Sequence, residues 1–207
     1  MKRFIAMTAA LTAALAIAIP ASAGHDTNPS PRVATYTYDI GELNDSGAEG
    51  TVRIKALPNG KVQVKVEATG LAPNLPHAQH LHGTTDGTPT ECPPNIGQVT
   101  TDAGIPFYGG IQASLTVTGD TSPASALDVP RFPVSDAEGN LEYQRTFDID
   151  EAAFAAIGTL QYVVHGVDLD GSGVYDNGAA DGGMDSPLAA GVPLEVTIPA
   201  ACGGVNN

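Results

Sequence analysis

The chain has 207 residues, with 9 Lys+Arg against 23 Asp+Glu and a net charge of −14. That length fits one domain, or two small ones. So acidic a surface excludes nucleic acid and anionic lipid heads as partners and attracts cations, metal ions among them. It also serves simply to keep an exported protein soluble, and composition does not separate the two roles.

Lys2 and Arg3 precede an almost wholly apolar stretch, Ile5 to Ile19, which Pro20-Ala21-Ser22-Ala23 closes. A positive start, a short apolar run and a small-x-small ending make the pattern of a secretory signal peptide, too short for a stable membrane span. The expected division is a signal peptide at 1–23, a mobile leader at 24–33 and a β domain at 34–207. No cysteine stands at the cleavage point to take a lipid anchor, and no later apolar run approaches the roughly 20 residues of a spanning helix. The reading is an exported protein, secreted or periplasmic, with no transmembrane segment in the mature chain. Two cysteines, Cys92 and Cys202, suggest one disulfide in such a compartment. It would close a loop of about 110 residues, worth roughly 4–5 kcal/mol by loop entropy.

In chain order, Ala34–Ile40 reads as a strand. Val52, Ile54 and Ala56 then alternate with Arg53 and Lys55, and Val62, Val64 and Val66 alternate with Gln63, Lys65 and Glu67. Pro58-Asn59-Gly60 between them predicts a hairpin. Further strands are expected at Ala78–His82, Ile111–Thr118, Glu142–Ile149, Leu160–Val167 and Leu194–Ile198, all rich in Val, Ile, Thr and Tyr. A turn or two of helix is expected at Glu151–Ile157, between a capping Asp150 and Gly158. Three Gly-, Pro- and Asp-rich stretches, about 83–110, 119–140 and 166–191, read as long irregular loops, and loops of that length are commonly functional or mobile.

The five histidines outside the signal are His25, His77, His80, His82 and His165. His25 falls in the leader. His80-Leu81-His82 on a strand projects both imidazoles to one side, the start of a nitrogen-ligated metal site of the kind copper and zinc occupy. Packing of histidines at a barrel mouth would give the same pattern.

The run Glu67 to Gly83, with Gly70-Leu71, a short turn, His77 and then His80-Leu81-His82-Gly83, resembles the Cu,Zn superoxide dismutase family. So does the late strand Val163-Val164-His165-Gly166-Val167-Asp168. The resemblance implies an eight-stranded Greek-key β-barrel or sandwich with long loops. It implies copper on His80, His82 and His165, His77 supporting the site without touching the metal, and a Cys92–Cys202 bridge pinning the loop after the first pair. Asp168 or Asp170 would orient a copper-binding imidazole from behind. The chain departs from the family in two ways. Pro93 to Thr146 contains no histidine, so the bridging ligand and the zinc site are missing and zinc is not expected. Pro199 stands where the family places its substrate-steering arginine, for which Arg131 or Arg145 would have to substitute.

A second resemblance is to secreted modules of the chordin-domain type (CHRD), carried by Leu71–Gly83, the alanine-rich Ala152–Ile157 and Gln161-Tyr162-Val163-Val164-His165. It implies an interaction module with a protein partner and no enzyme chemistry. Finally, Asp168, Asp170, Ser172 and Asp176 have the oxygen spacing of a calcium loop, but Ala179 stands where a bidentate glutamate belongs. A solvated Gly-Asp loop fits as well. Three functional readings remain: a secreted copper-binding, dismutase-like protein of weak or absent activity; a non-catalytic CHRD-like module; and an active copper-only dismutase.

Overall fold

A computed structural model of the chain describes residues 33–178 and 183–204. The signal segment, the leader before Val33 and His25 lie outside the described residues. Among those described, no helix is long and apolar enough to cross a membrane.

The strands are β1 (Ala34–Glu42), β2 (Glu49–Ala56), β3 (Lys61–Thr69), β4 (Gln79–Gly83), β5 (Gly110–Ser114), β6 (Leu141–Asp148), β7 (Gln161–His165) and β8 (Pro199–Gly204). They form one antiparallel sheet in the order β5-β4-β7-β8-β1-β2-β3-β6, as the all-β, eight-stranded expectation requires. The β2–β3 hairpin forms as the alternation dictates: Val52, Ile54, Val62, Val64 and Val66 are fully buried, and Gly60 turns the chain at φ +78°, a conformation open to glycine. The sheet curls so that Tyr38, Leu81, Tyr143, Phe147, Tyr162 and Val164 share one apolar core. At its outer edges, β5 and β6 share no ladder among the described residues. Side chains bridge them instead: the Tyr143 hydroxyl and the Arg145 guanidinium both donate to the Thr116 carbonyl, at 3.3 and 2.7 Å.

Three segments differ from expectation. Leu194–Ile198 is not a strand: α3 (Leu194–Thr197) is a helical turn, and β8 follows it. The turn forms because Glu195, the polar residue of the apparent alternation, is buried and its carboxylate accepts the Leu169 and Asp176 backbone N–H groups. The strand itself is Pro-Ala-Ala-Cys-Gly-Gly, poor in β-formers. Small residues are demanded there: a Cβ on Gly203 would lie 2.2 Å from the Asp39 carbonyl oxygen. β5 ends at Ser114 rather than Thr118: β4 begins at Gln79, and beyond Leu115 the Val117 N–H goes to the Arg131 carbonyl instead of to a strand. The stretch expected to be irregular between His82 and Gly110 contains α1 (Thr101–Tyr108). α2 (Glu151–Ala155) lies where expected, with the Asp150 carboxylate accepting the Ala152 and Ala153 N–H groups.

Candidate metal centre

β4 points Leu81 into the core and turns His80 and His82 to the opposite face of the sheet. β7 runs antiparallel beside it, pairing Val163 with His80, and the His165 N–H reaches the Ala78 carbonyl at 2.8 Å. His165 therefore emerges on the same face as the other two. Ladder irregularities fall at His82 on the β5 side and at His165 on the β8 side. Such bulges re-aim a side chain. The ring centroids lie 5.2 Å apart for His80–His165, 5.5 Å for His80–His82 and 6.0 Å for His82–His165.

Loops cover this face, so all three imidazoles are buried. Each has one ring nitrogen against a backbone carbonyl: His80 Nε2 against Ala126 at 3.1 Å, His82 Nδ1 against Gly109 at 3.0 Å, and His165 Nδ1 against Thr197 at 2.6 Å. A carbonyl only accepts, so these nitrogens carry the hydrogens and the tautomers are fixed. The remaining nitrogens, His80 Nδ1, His82 Nε2 and His165 Nε2, are buried lone pairs with no hydrogen-bond partner. One ligand atom from each of the three residues lies within 4.8 Å of those of the other two. Three convergent lone pairs, each backed by an N–H fixed to a carbonyl, make the donor set that metal-binding histidines present. The residues fit a metal ion.

Burial pushes the His80 imidazole well below its ordinary range, His82 down to about 3 and His165 down to about 4, with mutual repulsion adding to the effect on His80 and His82. All three are neutral at pH 7, the form that binds metals. Phe132 packs edge-on against His80 at 5.4 Å between centroids and Tyr108 against His82 at 4.5 Å. Tyr108 is fully buried and its hydroxyl donates to the Thr101 carbonyl, while the Thr101 hydroxyl donates to the Thr197 carbonyl that also holds His165. α1 is thus tied to two of the three histidines.

His77 is buried behind the cluster. Its Nδ1 lies 3.0 Å from the His165 carbonyl and its Nε2 3.0 Å from that of Ala72, and it touches the rest of the site only through backbone. Gly166, at φ +104°, leaves room there for the Tyr175 hydroxyl, 3.3 Å from His77 Nδ1. Asp168 and Asp170 do not orient an imidazole: carbonyls fill that role. The two aspartates close their own loop, accepting the Ser172 and Gly173 N–H groups. The acidic group is Asp168, Asp170 and Glu195. Ser172 spends its hydroxyl on the Val174 carbonyl, and Asp176 meets Glu195 through its N–H.

Cys92 and Cys202 are joined. Neither candidate arginine reaches the histidines. Arg131 donates to Asp128 and Ser125, and Arg145 to the Thr116 and Gly119 carbonyls. The residues around the rings that the sequence reading missed are Tyr108, Phe132 and the three carbonyl bearers. A backbone carbonyl leaves no sequence signal, and Tyr108 stood in a stretch taken for loop.

No protein-family model and no curated protein matches the chain. Among solved structures the chain is similar to a superoxide dismutase. That protein is Candida albicans superoxide dismutase 5 in its Cu(II) form, at 15% identity and a TM-score of 0.39, over 84% of this chain and 91% of that one. A mutant of the same protein is similar at 16% identity and a TM-score of 0.37, over 84% and 88%.

Proposed function

We propose that this is an exported copper-binding protein in which His80, His82 and His165 hold one copper ion, and that its dismutase activity is weak or absent. On this reading 1–23 is the export signal, 24–33 a leader and 34–207 the functional domain. The observation that carries it is the set of three buried imidazole nitrogens without partners. Leaving one such atom unsatisfied costs about 1–3 kcal/mol, and three converging at one point are accounted for by an ion between them. Imidazole donors suit copper. When bound, copper supplies a one-electron redox couple. The carbonyls of Gly109, Ala126 and Thr197 keep the imidazole tautomers fixed, and Tyr108 and Phe132 keep the rings in place.

Weak dismutation follows from what surrounds the ligands. Among the described residues, no Lys or Arg lines the pocket over the rings. Arg131 and Arg145 are engaged elsewhere, and Pro199 occupies the steering position. Without a cation in the approach, an anion gains no electrostatic focusing.

The test is metal analysis and electron paramagnetic resonance on the mature protein. The expected result is one copper per chain with nitrogen hyperfine coupling, lost on His82→Ala; no uptake at micromolar copper would remove the reading and favour an extracellular interaction module. The same copper-loaded sample should consume superoxide no faster than copper-loaded His80→Ala. A clearly faster rate would restore the active copper-only dismutase.

A further inference from the structure

A pocket of about 240 Å³ opens onto His80, His82 and His165. Its walls are Ile111, Ala126, Leu127, Val129, Leu188 and Val196, with Leu127 and Leu188 exposed at 43% and 42%. The two threonine hydroxyls in the lining are spent, Thr101 on the Thr197 carbonyl and Thr197 on Ser186 and the Leu194 carbonyl. The imidazoles give their N–H groups to carbonyls and turn lone pairs inward. Among the described residues the pocket thus has apolar walls, acceptors at its base and no charged group.

From this we infer that the metal-free pocket is a binding site for a small uncharged molecule with an apolar body and a single proton-donating end, and that in this form it holds anions out. The inference rests on the free imidazole lone pairs and is independent of the copper reading, which would place a cation at the pocket's base. The volume lies below the roughly 300–1,000 Å³ of drug-sized sites, so the ligand is about the size of one ring. An uncharged hydroxyl finds an acceptor at the base, while its body replaces water against Leu127, Val129 and Leu188. A carboxylate entering the same space loses its hydration and meets no donor.

The experiment is a titration of the mature, metal-free protein followed by amide NMR, with benzyl alcohol and benzoate as the probes. It is run at about 1 M salt, where the Debye length of about 3 Å removes the general repulsion from the acidic surface. Benzyl alcohol should shift the amides of Ala126, Leu127, Leu188 and Val196 saturably, and benzoate should bind at least about tenfold more weakly. Leu127→Lys, at the exposed rim, should narrow that gap by strengthening benzoate. Equal or tighter benzoate binding to the unmodified protein overturns the inference, and so does the lack of saturable shifts at the pocket. Because no metal is present, failure here leaves the copper reading standing. Failure to bind copper leaves the pocket result standing.

Discussion

Each histidine of the cluster is held neutral by its burial, and this links stability to pH. The folded-state values of His82 and His165, about 3 and 4, lie below the unfolded value near 6.5, and His80 is lowered as well. Between those limits the unfolded chain binds more protons than the folded one, so stability rises with pH. Their contribution is complete above about pH 6.5 and is lost as pH falls from there toward 4 and then 3. Each group forfeits on the order of 1.4 kcal/mol per pH unit in that window. Glu195, raised above its ordinary range chiefly by burial, works in the opposite sense, but it is one group against four, because burial lowers His77 as well. The urea midpoint of the metal-free protein should therefore fall from pH 7 to pH 5. The triple variant His80→Gln, His82→Gln, His165→Gln should flatten the curve, and a flat curve in the unmodified protein would show that the imidazoles are hydrated or already charged.

At the scale of elements, one side chain between β1 and β2 sets where α1 begins. Asn44, at φ +58°, donates through Nδ2 to the Val99 and Pro199 carbonyls at 2.9 and 2.8 Å and accepts the Val99 N–H at 2.6 Å. It ties the segment leading into α1 to the start of β8. Asn44→Ala removes three hydrogen bonds and puts a residue with a Cβ and no polar group in a left-handed conformation. The expected loss is about 2–4 kcal/mol by urea denaturation; a loss within a few tenths of a kcal/mol would show that the segment is held by other contacts. The same region marks where sequence reading ends. The β2–β3 hairpin, β1 and β6 were legible because each buries one face and repeats every two residues; β4 and β7 are buried on both faces and were legible from the spaced His80 and His82 and from the β-forming run Tyr162-Val163-Val164. α1 was not, because Gly104 and Pro106 within Thr-Asp-Ala-Gly-Ile-Pro-Phe-Tyr are helix breakers. Gly104 is there for packing: a Cβ would lie 2.4 Å from the Tyr108 ring. β8 was displaced because its neighbours require alanine and glycine, which no propensity scale assigns to a strand. His80 and His82 were legible as a pair because strand periodicity fixes their common face, and His165 joined them only through the family resemblance; their carbonyl partners sit in loops that only the folded chain brings near.

Over the whole molecule, a rigid sheet supplies the three clustered histidines and loops of low β-content supply everything that buries and orients them. The Cys92–Cys202 bridge, spanning 110 residues, is the covalent link between the two. Cys202 lies in β8, next to β7 and its His165, while Cys92 lies in the segment that continues through α1 to Tyr108 and Gly109. Removing the bridge leaves the eight strands with their ladders and core intact but frees the loop that stacks on His82 and holds its Nδ1–H. The double variant Cys92→Ser, Cys202→Ser should therefore keep its far-ultraviolet circular dichroism. It should lose about 2–5 kcal/mol of stability by urea denaturation. On the copper reading it should also release copper faster to a competing chelator, because the His82 imidazole is no longer held in one tautomer and one orientation. If copper release is unchanged while stability falls, the loop orders the fold without tuning the metal, and α1, through Asn44 and the Thr101–Thr197 contact, is what holds the ligands.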